Sequence, residues 1–417
     1  MNRKQKLSLN TLSSLLKQIV STICGFILPR LFLTHYGSGV NGLVSSISQF
    51  LSFASIFDAG MGVVIEASLY KPLAENDQLG INRILTSGQR FYYKIATIYA
   101  IYVVGMIFIY PVAVKSSYDY FFIATLIVAI SISSFGQYCF GVVNSVFLSA
   151  DQRTYVNSIA YIITIVLNTV MGAILINLNC SVQVVKLVAS LTFLLRPIIL
   201  KIYVEKHYNV NWHEEYTEEP IKQKWNGVAQ HVAAIVLDST DTIVLSTFST
   251  LINVSIYSVY NIVVSGIKQI VTSAFGGVGA LLGELWAKGE KKELNSYFEK
   301  IEIILHFAST ALWLITWCLV TPFVLLYTKG VNDANYDVPL FALIICLASA
   351  FYCYRLSYNS LILAVGHYKQ TQGIFITAAI INMLTSILFV MKFGLVGVAL
   401  GTLLSMLYQH IRMQWYC

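Results

Sequence analysis

The sequence predicts an all-α integral membrane protein of about twelve transmembrane helices, in two pseudo-symmetric six-helix lobes around a central cleft. Three observations predict it: long apolar segments, a one-sided distribution of lysine and arginine between them, and an internal repeat. The chain of 417 residues is 57% hydrophobic, with a mean hydropathy of +0.69. Charged residues make up 11%, against roughly 25% in soluble globular proteins. A soluble protein of this length would expose more charge than that, so the solvent is a bilayer.

Polar or Gly/Pro breaks divide the chain into spans at 11–34, 41–70, 91–114, 119–148, 155–177, 182–204, 225–248, 252–286, 297–328, 337–365, 371–391 and 394–415. Several approach or exceed the ~20 residues that cross a ~30 Å hydrocarbon core. Residues 1–10 are basic and polar, and the apolar run after them is long enough to stay as a helix, so no cleaved leader is expected. With the amino terminus inside, 18 Lys and Arg fall in inner segments and three, Lys115, Lys329 and Lys392, in outer loops. Positive charge of this kind sets orientation, and a missed or invented span would destroy the bias. The expectation is therefore a multi-pass protein with both termini cytoplasmic.

The two halves repeat. SFASIFDAGMGVVIEASLYKPLAEND in the second span parallels IVTSAFGGVGALLGELWAKGEKKEL in the eighth, aligning Gly60 with Gly277 and Gly62 with Gly279 at an offset of 217. NSVFLSADQR from Asn144 parallels NSLILAVGHYK from Asn359 at an offset of 215. The lobes are expected at 1–204 and 225–417, joined by a solvated cytoplasmic linker at 205–224. An even number of spans per lobe makes the repeats parallel, and paired lobes of this kind are transporter architecture.

Other classes are disfavoured. The net charge of +7 is not gathered into a basic patch with interleaved aromatics, so no nucleic acid is expected as a partner. The seven Cys include no CxxC pair and the seven His are scattered, so neither a disulfide framework nor a metal or cofactor site is indicated. Gly60-Met61-Gly62 lacks the strand-to-helix context of a nucleotide-binding loop. The outer loops are short and carry no His, Cys or carboxylate constellation, so an enzyme is not expected.

Charges inside the spans carry the functional signal, because each costs at least ~2.5–3.5 kcal/mol near mid-bilayer unless it faces a cavity or a partner. The interior set is Lys17, Arg30, Asp58, Glu66, Asp238, Asp241, Lys268, Glu284 and Arg355. Arg30 follows Pro29, which kinks a helix, while Lys268 and Arg355 stand deep in their spans. Cations in a dry cleft suit an anionic ligand, and an arginine fork matches phosphate geometry; neutralising nearby carboxylates is the competing role. Asp238 and Asp241, three apart, share a helix face and would repel unless one is protonated or a cation sits between them. They are candidates for H⁺ or Na⁺ coupling. Asp58, Gly62 and Glu66 fall at i, i+4, i+8 on one stripe. Glu66 and its counterpart Glu284 lie near inner span ends and are read as structural charges. Asp58 has no acidic twin and is the cavity acid to test. Lys17, Lys186 and Arg196 are read as snorkelling to the interface. The 26 tyrosines are read mostly as an interface belt; only those that face the cleft, such as Tyr354 or Tyr358, are candidates to stack on a sugar.

The order of Pro29-Arg30, FDAGMG at 57–62, DTIVLS at 241–246 and YSVYNIVVSGIKQIVTSAFGGVGALLGEL at 257–285 resembles the polysaccharide-transporter (Wzx-like) flippases of the multidrug/oligosaccharidyl-lipid/polysaccharide (MOP) exporter superfamily. That resemblance covers essentially the whole chain. It implies a bacterial cytoplasmic (inner) membrane protein that moves an undecaprenyl-pyrophosphate-linked oligosaccharide, a unit of O-antigen, capsule or exopolysaccharide, by alternating access. It makes Arg30, Lys268 and Arg355 pyrophosphate-contact candidates, and membrane lipid, a polysaccharide polymerase and export proteins the expected partners. The alternatives are a multidrug or toxin cation antiporter of the same superfamily, favoured by an acidic cavity, and an integral-membrane saccharide polymerase or transferase. Some relatives carry more helices or a basic tail after the twelfth span, so this chain is expected to be a short or a truncated member.

Overall fold

The computed structural model describes residues 3–58, 60–114, 118–221, 228–275 and 278–417, and every α- or β-element among them is a helix. Helix α1 (Arg3–Phe53) is 51 residues long, which at 1.5 Å per residue would run ~75 Å, more than twice a hydrocarbon core. It breaks at Gly37, whose φ of 81° and ψ of 173° are open to glycine alone. The last helix, α14 (Tyr368–Tyr416), breaks likewise at Gly394. Ten helices among the described residues are long and apolar enough to cross a membrane. Two of them, α1 and α14, each supply two passes across these glycines, which accounts for the twelve expected.

The second span is not one helix. After α1 come a 3₁₀ turn at Ala54–Asp58, a left-handed Gly60 (φ 74°) and then α2 (Met61–Glu75). The expected stripe of Asp58, Gly62 and Glu66 is therefore interrupted: Asp58 lies before the break and the other two after it. The next helices are α3 (Gln78–Ala113), α4 (Tyr120–Gly136), α5 (Val142–Ala150), α6 (Thr154–Asn177) and α7 (Val182–His207). They are followed by α8 (Val228–Phe248), α9 (Leu251–Ala274), α10 (Val278–Lys288), α11 (Lys291–Tyr327), α12 (Pro339–Tyr354) and α13 (Leu356–Ala364). The eighth span is likewise divided, into α9 and α10: α2 begins at Met61 and α10 at Val278, an offset of 217. Gly277, the expected partner of Gly60, lies outside the described residues.

The fourth and tenth spans are also interrupted, by a π-turn at Gln137–Gly141 before α5 and by Arg355 before α13. Helices α5 and α13 match at an offset of 214, as do the left-handed residues that follow them, Gln152 (φ 58°) and Gly366 (φ 75°). The repeat read from the paired Asn-Ser dipeptides is thus one residue out of register: Asn144 corresponds to Tyr358. In both halves the piece after the break packs against the short helix of the other broken span, α2 on α5 and α10 on α13.

The chain divides into two compact units, Met1–His35 with Ala54–Asn226, and Tyr36–Phe53 with Gly227–Cys417. The segment Tyr36–Phe53, between the Gly37 break and the 3₁₀ turn, groups with the C-terminal unit, although the expected first lobe of 1–204 contained it. In the first unit Met61, Ile65 and Leu69 of α2 meet Val143 and Phe147 of α5, with Leu200 and Val204 of α7, in one buried cluster. The expected linker adds to this cluster and is not simply solvated. Ile221 is buried at 2% exposure and Tyr208, Val210 and Trp212 pack alongside. Gln78 Nε2 donates to the Asn209 carbonyl at 3.0 Å and the Asn211 N–H to Asn82 Oδ1 at 3.2 Å. The remainder, 222–224, lies outside the described residues.

In the second unit α8 and α12 pack on α14. The Tyr36–Phe53 segment meets the start of α9 backbone to backbone, since a β-carbon at Gly42 would sit 1.7 Å from the Leu251 carbonyl oxygen. Asn41 Nδ2 donates to Ser255 Oγ at 2.8 Å and Gln49 Nε2 to Ser239 Oγ at 2.9 Å.

Candidate functional site

The second unit holds a partly open cavity of about 410 Å³, within the size range of small-molecule sites. Helix α8 contributes Asp238 and Asp241, α9 contributes Tyr257 and Lys268, the α12–α13 junction contributes Tyr352 and Arg355, and α14 contributes Thr402. Four of the charges singled out from sequence therefore line one space. The three-residue spacing of Asp238 and Asp241 puts both on one face of α8, and that face fronts the cavity.

The two carboxylates have different surroundings. Asp241 is buried at 4% exposure. Thr402 Oγ1 lies 2.7 and 2.8 Å from its two oxygens, and Tyr257 Oη donates at 3.0 Å. Asn382 Nδ2 donates to Thr402 Oγ1 at 3.0 Å, while Asn382 Oδ1 is buried with no hydrogen-bond partner. Neutral donors hold this acid; Lys268 is in electrostatic range, but among the described residues Asp241 makes no ion pair within 4 Å. Asp238 is exposed to the cavity and lies in electrostatic range of Lys268 and Arg355. Among the described residues it makes no ion pair within 4 Å with either.

Both cations are held instead by an aromatic ring. Lys268 Nζ lies 4.2 Å and Arg355 Cζ 4.5 Å from the centroid of Tyr352, inside the ~6 Å range of a cation–π contact. Arg355 is 8% exposed and its Nε is buried with no hydrogen-bond partner. It reaches the cavity because the tenth span turns there: Arg355 closes α12 and precedes α13. The arrangement offers two positive groups and a neutral ring face, which is a chemistry for binding an anion.

The other expected site residues lie elsewhere. Arg30 is exposed on α1 in the first unit and is not among the cavity residues. Asp58, half-buried in the first unit, accepts a 2.6 Å hydrogen bond from Tyr92 Oη. Glu66 accepts from Tyr70 Oη, one turn on, at 3.1 Å, and makes no ion pair among the described residues. Glu284 pairs with Lys288 at 2.5 Å on the surface. Neither Tyr354 nor Tyr358 lines the cavity. Tyr354 stacks on His306 at 4.7 Å, and Tyr358, 2% exposed, bonds to Glu302. Tyr352 takes the expected place, and one signal could have found it: it is three residues before Arg355, on the same helical face.

No protein-family model and no curated protein sequence matches the chain. Solved structures do. A multidrug resistance MATE family transporter of the MOP superfamily, in an inward-facing conformation, superposes with a TM-score of 0.73 at 12% identity, over 95% of this chain and 94% of that one. The lipid II flippase MurJ, in an inward closed conformation, gives 0.72 at 14% identity over 98% and 87%. A MOP superfamily transporter from Pyrococcus furiosus, described as having a binding pocket of reverse polarity, gives 0.57 at 12% identity over 96% and 95%. The chain has the fold of MOP-superfamily transporters and flippases.

Proposed function

We propose that this chain is a flippase that moves an undecaprenyl-pyrophosphate-linked oligosaccharide across a bacterial cytoplasmic membrane by alternating access. The observation that carries this reading is the pairing of Lys268 and Arg355 around one cavity, with Arg355 Nε unpartnered. A guanidinium lining the cavity favours an oxyanion, and its fork suits phosphate oxygens. The fold shared with a lipid II flippase agrees with a lipid-linked anion. Arg30, exposed on α1 of the first unit, is kept as a separate pyrophosphate-contact candidate. Asp241, held by Thr402 and Tyr257 at the cavity wall, is the acid at which a proton or Na⁺ would couple to transport. A polysaccharide polymerase and export proteins are the partners such an activity would serve.

The test is surface polysaccharide in cells carrying Arg355→Ala or Lys268→Ala at unchanged membrane abundance. Loss of polysaccharide is expected; normal polysaccharide in both variants would overturn the reading. A second reading, a cation antiporter for drugs or toxins, is favoured by Asp238 facing the same cavity and by the MATE-like fold. It predicts that Asp238→Asn abolishes drug efflux while Arg355→Ala leaves it intact.

A further inference from the structure

We infer that Tyr352 is a positioning residue: its ring holds Lys268 and Arg355 apart from Asp238, so that the cavity keeps two unneutralised positive charges for an anionic ligand. This rests on the anion-site reading above and deepens it.

The argument starts from what the two cations would otherwise do. Asp238 fronts the same cavity and is in electrostatic range of both. An ammonium or guanidinium beside an unpaired carboxylate is drawn towards an ion pair. Such a pair would leave the cavity with one spent charge and one occupied donor group. Among the described residues that ion pair does not form. Lys268 Nζ stands 4.2 Å and Arg355 Cζ 4.5 Å from the Tyr352 ring centroid. A ring face attracts a cation through its quadrupole but brings no net charge, so it steadies both groups without neutralising them. It also accepts no conventional hydrogen bond, which agrees with Arg355 Nε being left without a partner.

The geometry of two cations over one ring recurs in the first unit. Lys17 Nζ and Arg196 Cζ lie 5.2 and 5.5 Å from the ring of Tyr161, and Arg196 Nε is again buried without a hydrogen-bond partner. Two cations from different helices share one tyrosine in each unit. The sequence expectation that Arg196 and Lys17 simply reach for the interface does not account for that ring.

Two measurements test the role. The first is the structure of purified Tyr352→Leu without ligand: Lys268 or Arg355 should move to within ion-pair distance of Asp238. Both cations unmoved would overturn the positioning role, whatever the cavity binds. The second is calorimetric titration with inorganic pyrophosphate. Tyr352→Phe, which keeps the ring, should bind like the wild type, and Tyr352→Leu about tenfold more weakly or worse. Tyr352→Leu combined with Asp238→Asn should recover most of that loss, because the competing carboxylate is gone. Loss in Tyr352→Phe equal to that in Tyr352→Leu, or no recovery in the double variant, would overturn the inference. Movement of the cations in Tyr352→Leu together with no pyrophosphate binding by the wild type would uphold the positioning role and overturn the anion-site reading.

Discussion

Asp333 takes hold of both the backbone and the side chain of Ser38: one carboxylate oxygen accepts the Ser38 N–H at 2.6 Å and the other its hydroxyl at 2.6 Å. The helix that resumes after Gly37 is thus capped by a residue nearly three hundred positions away. Tyr336 Oη closes the network, 2.9 Å from Ser38 Oγ and 3.0 Å from Ser255 Oγ. Ser38 is fully buried, so its donors have no water to fall back on. Asp333→Ala should destabilise the protein by on the order of 2 kcal/mol, and Ser38→Ala by less, because the backbone bond survives. Thermal unfolding of the purified variants in detergent measures both, and equal effects would show that the N–H bond contributes nothing.

Among the described glycines of the second unit, Gly42 makes the closest backbone approach. A methyl group there would collide with the Leu251 carbonyl, whereas at Gly105 nothing lies within 4 Å. Gly42→Ala should therefore sharply reduce folded yield, by the overpacking penalty of about 1–3 kcal/mol or more. Gly105→Ala should be neutral or slightly stabilising, since alanine favours a helix interior by up to about 1 kcal/mol. Size-exclusion profiles of the two variants decide this.

Asp58 and Tyr92 should behave as one unit. Tyr92 is fully buried and its hydroxyl donates to the Asp58 carboxylate at 2.6 Å. Tyr92→Phe and Asp58→Asn are each expected to lower stability by about 1.5 kcal/mol, the lower end for a bond to a charged group, because Asp58 is half-buried. The double variant should lose less than the sum. Full additivity in a double-mutant cycle would show that the bond does not hold the 3₁₀ turn to α3.

Alkaline pH should weaken the packed strap after α7. Burial, then the hydrogen bond to Asp151, push the Tyr208 phenol above its ordinary value. Its folded value exceeds its unfolded value of about 10, so its contribution is whole below that pH and is lost as pH rises beyond it. The stability difference between wild type and Tyr208→Phe should therefore be constant from pH 7 to 9 and shrink above 10. A difference that grows above pH 10 would contradict the assignment.

The lengths of the apolar runs, the placement of Lys and Arg, and the 217-residue repeat were enough to predict twelve passes and a two-fold pattern, because each is a one-dimensional property of the chain. The cost of burying charge likewise marked Lys268, Arg355, Asp238 and Asp241, and the cavity joins all four. Folding alone decided the rest. Hydropathy does not register a backbone break, so Gly37, the turn before Met61 and the one-residue shift of the second repeat were visible only as dihedral angles. Arg30 carried the same sequence signal as Arg355 yet lies on another unit's helix. Thr402 is neutral and common, so nothing local distinguished it, and Tyr352 carried only its three-residue spacing from Arg355. They matter because α14 and α12 bring them to a carboxylate and to two cations, and that proximity exists only in three dimensions.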